Sequence, residues 1–311
     1  MTEVTRRKFG ALGAAALASA SSRKALGNGV RLQRWQVGDA TITCLVDFIS
    51  DPSPPIATFP FATVDMIEAT PWVRPKFVSD WGLVRFAYQG FLIETPSGKI
   101  LVDTGLGPPN PKTPAGFGRL MQSMAAAHCE PGAIDIVVHT HLHPDHVGWD
   151  AKLVSGLSRP TFSKARYVVA QQEYQYWSEK QPDLRAREGF AAAVAPFRAA
   201  GQIDLVGMDK SLTPEVRLMA SPGHTAGHVC IEIASRGKKA VITGDVLHHP
   251  LQFARLDWKN PGDFDADLAV KTRQNLIANW AHQKTLVIGS HFAGITAGRV
   301  ERVGDAFQFA V

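Results

Sequence analysis

The segment that most constrains this chain starts as an ordinary buried strand. Ile134-Asp135-Ile136-Val137-Val138 is a short apolar run that delivers His139-Thr140-His141-Leu142-His143-Pro144-Asp145-His146 at its C-terminal end. Four of the chain's 11 histidines stand in those eight residues. The arrangement then recurs. Ser221-Pro222-Gly223-His224 follows an apolar run at 216–220, Gly244-Asp245 follows one at 239–243, and Ser290-His291 follows one at 285–289. Small residues precede each of these side chains, which allows sharp turns and close backbone approach at strand ends.

The remaining pattern places these runs among others. Residues 36–48 alternate as a strand or hairpin around Gly38-Asp39, and residues 51–77 are a proline- and aromatic-rich irregular arm. Strands are expected over 84–94 and 99–103, joined by Thr95-Pro96-Ser97-Gly98, and again over 165–170 and 229–234. Helices are expected over 171–180, 189–200 (interrupted by Pro196) and 264–282. Strands, then mixed helix and strand, then strands again predict an α/β fold of two sheets with helices packed outside.

Composition narrows the class. With 45% hydrophobic and 20% charged residues over 311 positions, the chain has ordinary globular composition and length for one large core. No apolar run is long enough for a membrane span. Residues 1–20 read as a leader: Thr5-Arg6-Arg7-Lys8-Phe9, a weakly apolar Ala/Gly run, then Ala18-Ser19-Ala20 as a small-x-small cleavage pattern. The paired arginines resemble a twin-arginine export signal, so the expectation is passage through the twin-arginine machinery to a periplasmic or secreted location. Of 33 basic and 28 acidic residues, the leader holds Arg6, Arg7, Lys8 and Glu3, so the net charge falls from +5 to +3 without it. No Lys/Arg cluster remains to suggest nucleic acid. Cys44, Cys129 and Cys230 lack C-x-x-C spacing and are expected as buried apolar residues, with one disulfide as the alternative. The expected organisation is a leader (1–20), a strand and aromatic arm (21–80) and one catalytic domain (81–311).

Imidazole and carboxylate together suit zinc first, with manganese, cobalt or iron as alternatives. At i and i+2 past a strand end, His141 and His143 can point to one side of a turn. Asp145 and His146 are adjacent, diverge, and more naturally serve a second metal. With His224, His291 and a shared Asp245, seven ligands make two sites, each with a position left for water.

Taken in order, Asp103-Thr104-Gly105, the H-x-H-x-D-H within 141–146, His224, Asp245 and His291 resemble the metallo-β-lactamase-fold hydrolases over roughly residues 84–292. The resemblance implies a four-layer αββα sandwich of two mixed sheets with two divalent ions at one edge. It places His141, His143 and His224 on the first ion, Asp145, His146 and His291 on the second, and Asp245 between them. A metal-bridging hydroxide would then attack a carbonyl or phosphoryl centre, with Asp145 accepting or returning a proton. Asp103 is expected to orient a ligand, and His228 to stand just behind the site. His139 is expected to be ordinary packing, and His128 and His282 to be exposed.

Within the family, the acidic Asp245 differs from antibiotic-hydrolysing β-lactamases, and His143 stands where diiron flavoproteins carry glutamate. Acyl-homoserine lactonases usually carry tyrosine three residues after the bridging aspartate. Here that residue is His248, which resembles the methyl parathion hydrolase-like branch and would contact a carbonyl or phosphoryl oxygen. The expected substrates are small apolar lactones, aryl esters or organophosphotriesters. The alternatives are an iron-dependent oxidoreductase or sulfur dioxygenase on the same fold, or a thioesterase of glyoxalase II type. Trp81, Trp149, Phe253 and Phe292, with Phe59, Phe61, Trp72, Phe77 and Trp258, are candidates for an apolar substrate pocket. Core packing or a homodimer interface is their alternative use.

Overall fold

The computed structural model describes residues 32–108, 118–181 and 183–311. The leader-like residues 1–20 lie outside the described residues.

Two sheets carry the fold. The first runs, in spatial order, Arg34–Val37, Ala40–Ile49, Ala87–Thr95, Gly98–Val102, Ile136–Val138, Arg166–Ala170 and Ile203–Val206. Its first four strands are antiparallel neighbours and the rest pair in parallel. The second sheet runs Val216–Ala220, Val229–Ser235, Lys238–Ile242, Leu286–Ile288, Ala297–Val303 and Ala306–Ala310, antiparallel except for the central pair Lys238–Ile242 and Leu286–Ile288.

The period-2 alternation of strand side chains builds the layers. Phe91, Ile93, Ile100 and Val102 point inward and meet Leu218, Ile231, Ile242 and Ile288 between the sheets. Leu92, Leu101, Val137 and Tyr167 point the other way, under Leu120, Met124, Trp177 and Phe197. On the outer face of the second sheet, Val241, Val287 and Val300 are covered by Ile277 and Trp280 of helix Ala266–Gln283 and by Phe59 and Phe77 of the arm. The result is the expected αββα sandwich.

Several local expectations differ from the structure. The helix expected over 171–180 is α-helical only for Gln171–Gln175 and continues as a π-helical turn, Tyr176–Lys180. Pro196 does not break the helix Leu184–Ala199. The arm is less irregular than its prolines suggest, with a short helix Val64–Glu68 capped by the Thr63 side chain, and 3-10 turns at Pro55–Ala57 and Pro71–Val73. Two hairpins escaped the pattern, Ala151–Val154 with Leu157–Pro160 and the C-terminal pair. All three cysteines are buried and free. No helix among the described residues is long and apolar enough to cross a membrane.

Candidate metal centre

Parallel pairing brings the chemistry to one edge. Val102 pairs with Val138 and Ile242 with Ile288, so the residues that follow these strands emerge side by side. Asp103 N–H bonds the Val138 carbonyl, and Thr243 N–H bonds that of Ile288.

The seven sequence-derived ligand candidates converge in two groups. His141, His143, His224 and Asp245 offer ligand atoms within 4.8 Å of one another, as do Asp145, His146 and His291. In the first group, His143 Nδ1 is 3.0 Å from both His141 Nε2 and His224 Nε2. In the second, Asp145 Oδ2 is 3.5 Å from His146 Nε2 and 3.6 Å from His291 Nε2. Asp245 stands between. Its Oδ2 faces the first group, 3.3 Å from His224 Nε2 and 3.7 Å from His141 Nε2, and its Oδ1 faces the second, 3.0 Å from His291 Nε2 and 3.3 Å from His146 Nε2.

The outer contacts of these side chains fit divalent cations. His146 Nδ1 meets Asp103 Oδ2 at 2.8 Å, His224 Nδ1 meets Asp263 Oδ1 at 2.9 Å, and His291 Nδ1–H donates to the Ala87 carbonyl at 2.8 Å. His141 Nδ1 meets Thr140 Oγ1 at 3.1 Å. An acceptor on Nδ1 turns each Nε2 lone pair inward, the usual brace of a metal-ligating histidine. His146 Nε2 and Asp245 Oδ1 are buried with no well-aligned hydrogen bond, facing only other ligand candidates, an expensive state unless a cation satisfies them. Burial, then the charges of His146 and His224 respectively, holds His141 well below the ordinary imidazole range and takes His143 down to about 3. Burial opposes ionisation of Asp245, but His291 and His146 hold its carboxyl well below the ordinary range. Burial works against charge on His146, His224 and His291 too, but Asp245 outweighs it and holds all three above the ordinary imidazole range, so a cation bound here would displace their protons.

The residues around this ring have separate tasks. Asp103 adopts φ 55° in its turn and accepts from Thr140 N–H, Thr140 Oγ–H and His146. His228 Nε2 accepts from the backbone N–H of Asp245 at 2.9 Å while its Nδ1 meets Ser221 Oγ at 2.8 Å. Gly244 (φ 52°) permits that approach, since a Cβ there would sit 2.5 Å from His228 Nε2. His248 Nε2 lies 3.3 Å from Asp245 Oδ2 and 3.2 Å from Asn260 Nδ2, and its ring stacks on His291 at 5.6 Å.

Other expectations need correction. His139 is not ordinary packing: its Nε2 is 3.0 Å from Asp150 Oδ2 and its Nδ1 3.7 Å from Asp103 Oδ1, all buried. Phe253 and Phe292 are fully buried against Phe309 and belong to the core beneath the second sheet, as do Phe59, Phe77 and Trp258. Trp81 is 89% exposed and Phe61 61%, so neither lines an enclosed pocket. Trp149 donates its indole N–H to Asp47, which also accepts from Leu106 and Leu120 N–H, and so secures a connection rather than a pocket wall. Aromatic content alone did not distinguish lining from core.

Three functional neighbours were not legible beforehand. Asp263 follows an Asn-Pro-Gly turn and carries no motif, yet it orients His224. Tyr88 sets its ring edge against His291 at 5.3 Å, one residue after the carbonyl that orients that histidine. Glu173 lies on a helix with no ligand. The sequence signal available for Tyr88 was its place on a strand leading to the site edge; for the other two there was none.

Comparison with known proteins agrees with this geometry. The model of the metallo-beta-lactamase superfamily matches residues 86–291, and the chain belongs to that superfamily. It is a metal-dependent hydrolase with lactonase-like homologues. An N-acyl homoserine lactonase of Bacillus sp is 23% identical over 222 residues, 65% of this chain and 79% of its own length. An acyl-coenzyme A thioesterase of Bos taurus is 25% identical over 62% of this chain and 71% of its own length. Among solved structures, the hydrolase AbOPH superposes with TM-score 0.77 at 24% identity, covering 90% of this chain and 96% of its own. AidC, a dizinc quorum-quenching lactonase in complex with a product, has TM-score 0.75 at 22% identity, covering 89% and 96%.

Proposed function

We propose that the chain hydrolyses small apolar lactones, aryl esters or organophosphotriesters with two divalent ions, zinc first among them. The carrying observation is a single carboxylate, Asp245, that turns one oxygen to each of two ligand groups. His141, His143 and His224 would hold one ion and Asp145, His146 and His291 the other. When bound, such a pair supplies Lewis acidity and lowers the pKa of a coordinated water toward neutrality.

The chain's own residues do the rest. His228 fixes Asp245 through its backbone, and Asp103, Asp263 and the Ala87 carbonyl fix the imidazoles. Asp145, 23% exposed at its side chain, is the open carboxylate and is placed to hold or return a proton at Oδ. His248 stands beside Asp245, and to meet a carbonyl or phosphoryl oxygen its Nε2 would exchange its contacts with Asp245 and Asn260 for the substrate. The named lactonase relatives favour lactones among the three classes.

Metal analysis of the purified protein with a panel of homoserine lactones, aryl esters and phosphotriesters tests the reading. Two equivalents of divalent metal and hydrolysis of at least one class are expected. Iron alone, oxygen consumption and no hydrolysis would overturn it in favour of the oxidoreductase. We further propose that residues 1–20 direct export to the periplasm; replacing Arg6 and Arg7 by lysine should retain the protein in the cytoplasm, as fractionation would show.

A further inference from the structure

The helical turn Gln171–Gln175 supplies no residue to either ligand group, yet its Glu173 reaches both loops of the first one. The side chain is buried. Its Oε1 accepts the backbone N–H of Leu142 at 3.1 Å and the indole N–H of Trp177 at 2.7 Å, and its Oε2 accepts the backbone N–H of Gly227 at 2.8 Å. Leu142 stands between His141 and His143. Gly227 stands in the loop that carries His224 and His228.

These loops leave different sheets, one after Ile136–Val138 and the other between Val216–Ala220 and Val229–Ser235. One carboxylate therefore ties together the two segments that must converge on a common point. Three N–H donors converge on it, while burial pushes its carboxyl above the ordinary carboxylate range. Gly227 is what allows the approach, because a Cβ there would lie 2.2 Å from the Glu173 nitrogen. Trp177, held by the same oxygen, sets its ring edge against His143 at 5.5 Å.

We propose that Glu173 is a positioning residue for one of the two metals, the one held by His141, His143 and His224, and not for the other. The inference rests on the two-metal reading above. Its selectivity follows from geometry: Asp103 and the Ala87 carbonyl brace His146 and His291, and Glu173 touches neither brace.

Chelator competition on the zinc-loaded protein tests this without recourse to turnover. Two release steps are expected, assigned with His143→Ala, which cripples the first group, and His291→Ala, which cripples the second. Glu173→Gln keeps one oxygen acceptor and loses the other. It should weaken the zinc remaining in the His291→Ala background by about 10–100-fold, the usual effect of an outer contact, and leave that in the His143→Ala background within about twofold. Equal weakening in both backgrounds, or none in either, overturns the proposal. If Glu173→Gln does not fold by circular dichroism, Trp177→Phe removes a single hydrogen bond to the same carboxylate and should give a smaller shift with the same selectivity; its absence overturns the proposal equally. Wild type that binds no zinc would sink the two-metal reading as well, whereas two zinc ions and no selective loss sink this inference alone.

Discussion

The two halves of the centre are braced in different ways. Around His146 and His291 the supports are strand ends of the first sheet. Asp103 ends the strand next to Ile136–Val138 and meets His146, and Ala87 opens the neighbouring strand and reaches across to His291, which follows Leu286–Ile288 of the second sheet. Around His141, His143 and His224 the supports are remote. Glu173 comes from a helix outside the first sheet, and Asp263 from the turn before helix Ala266–Gln283. Both halves thus join the two sheets, but the half with His141, His143 and His224 depends also on two helix-linked braces, while the half with His146 and His291 is braced from strand ends. A brace built into strand ends needs correct register and the two sheets packed together, whereas one supplied by a helix needs the outer layers docked as well.

The largest expected effect removes what the halves share. Asp245→Ala should lose at least one metal and nearly all turnover; full activity with two bound metals would break the dinuclear reading. Asp103→Ala is the counterpart of the Glu173 variant and should weaken the second release step by about 10–100-fold and the first by less, since Asp103 reaches His141 only through Thr140. Loss of both steps together would show that the halves are not independent.

Smaller effects sharpen the contrast between ligands and their neighbours. His248→Gln should keep two metals and lower kcat/KM by roughly 10-fold or more, the scale of a lost transition-state hydrogen bond. Metal loss in that variant would move His248 from substrate contact to ligand support. Farther out, burial takes His249 down to about 4; its Nε2–H donates to the Phe77 carbonyl and its Nδ1 accepts from Leu251 N–H, so the ring is neutral when folded. A folded pKa below the unfolded value means full stability above about 6.5, declining as pH falls toward 4. The unfolding temperature of the metal-free protein should fall over that window, and less steeply in His249→Gln, with metal affinity at pH 7 unchanged. An identical slope would show that the acid sensitivity lies in the centre and not in the arm.

Much of the candidate site was readable because metal-ligand candidates combine residue type with strand-end position. His141, His143, Asp145, His146, His224, Asp245 and His291 each follow a short apolar run, and burial of that run dictates where its end emerges. Asp103 was readable only through the resemblance of Asp103-Thr104-Gly105 to the family's turn. The aromatic residues were not. A phenylalanine carries no mark of which layer it enters, and Phe253 and Phe292 went to the core while Trp81 stayed in solvent. His139 was misread because its two carboxylate neighbours, Asp103 and Asp150, meet it only after parallel pairing and the turn at Asp145–His146 are in place.

From residue order alone came the candidate ligand set and the two-sheet architecture, because both depend on periodicity and on chemistry placed at strand ends, and the family followed by resemblance of the ordered motifs. Tertiary structure decided which groups hold the ligands still. Glu173 meets Leu142 and Gly227, 31 and 54 residues away, and His291 meets Ala87 across 204 residues. Such pairings depend on how sheets and helices dock, and docking is set by the shapes of whole buried faces, which no short stretch of sequence contains.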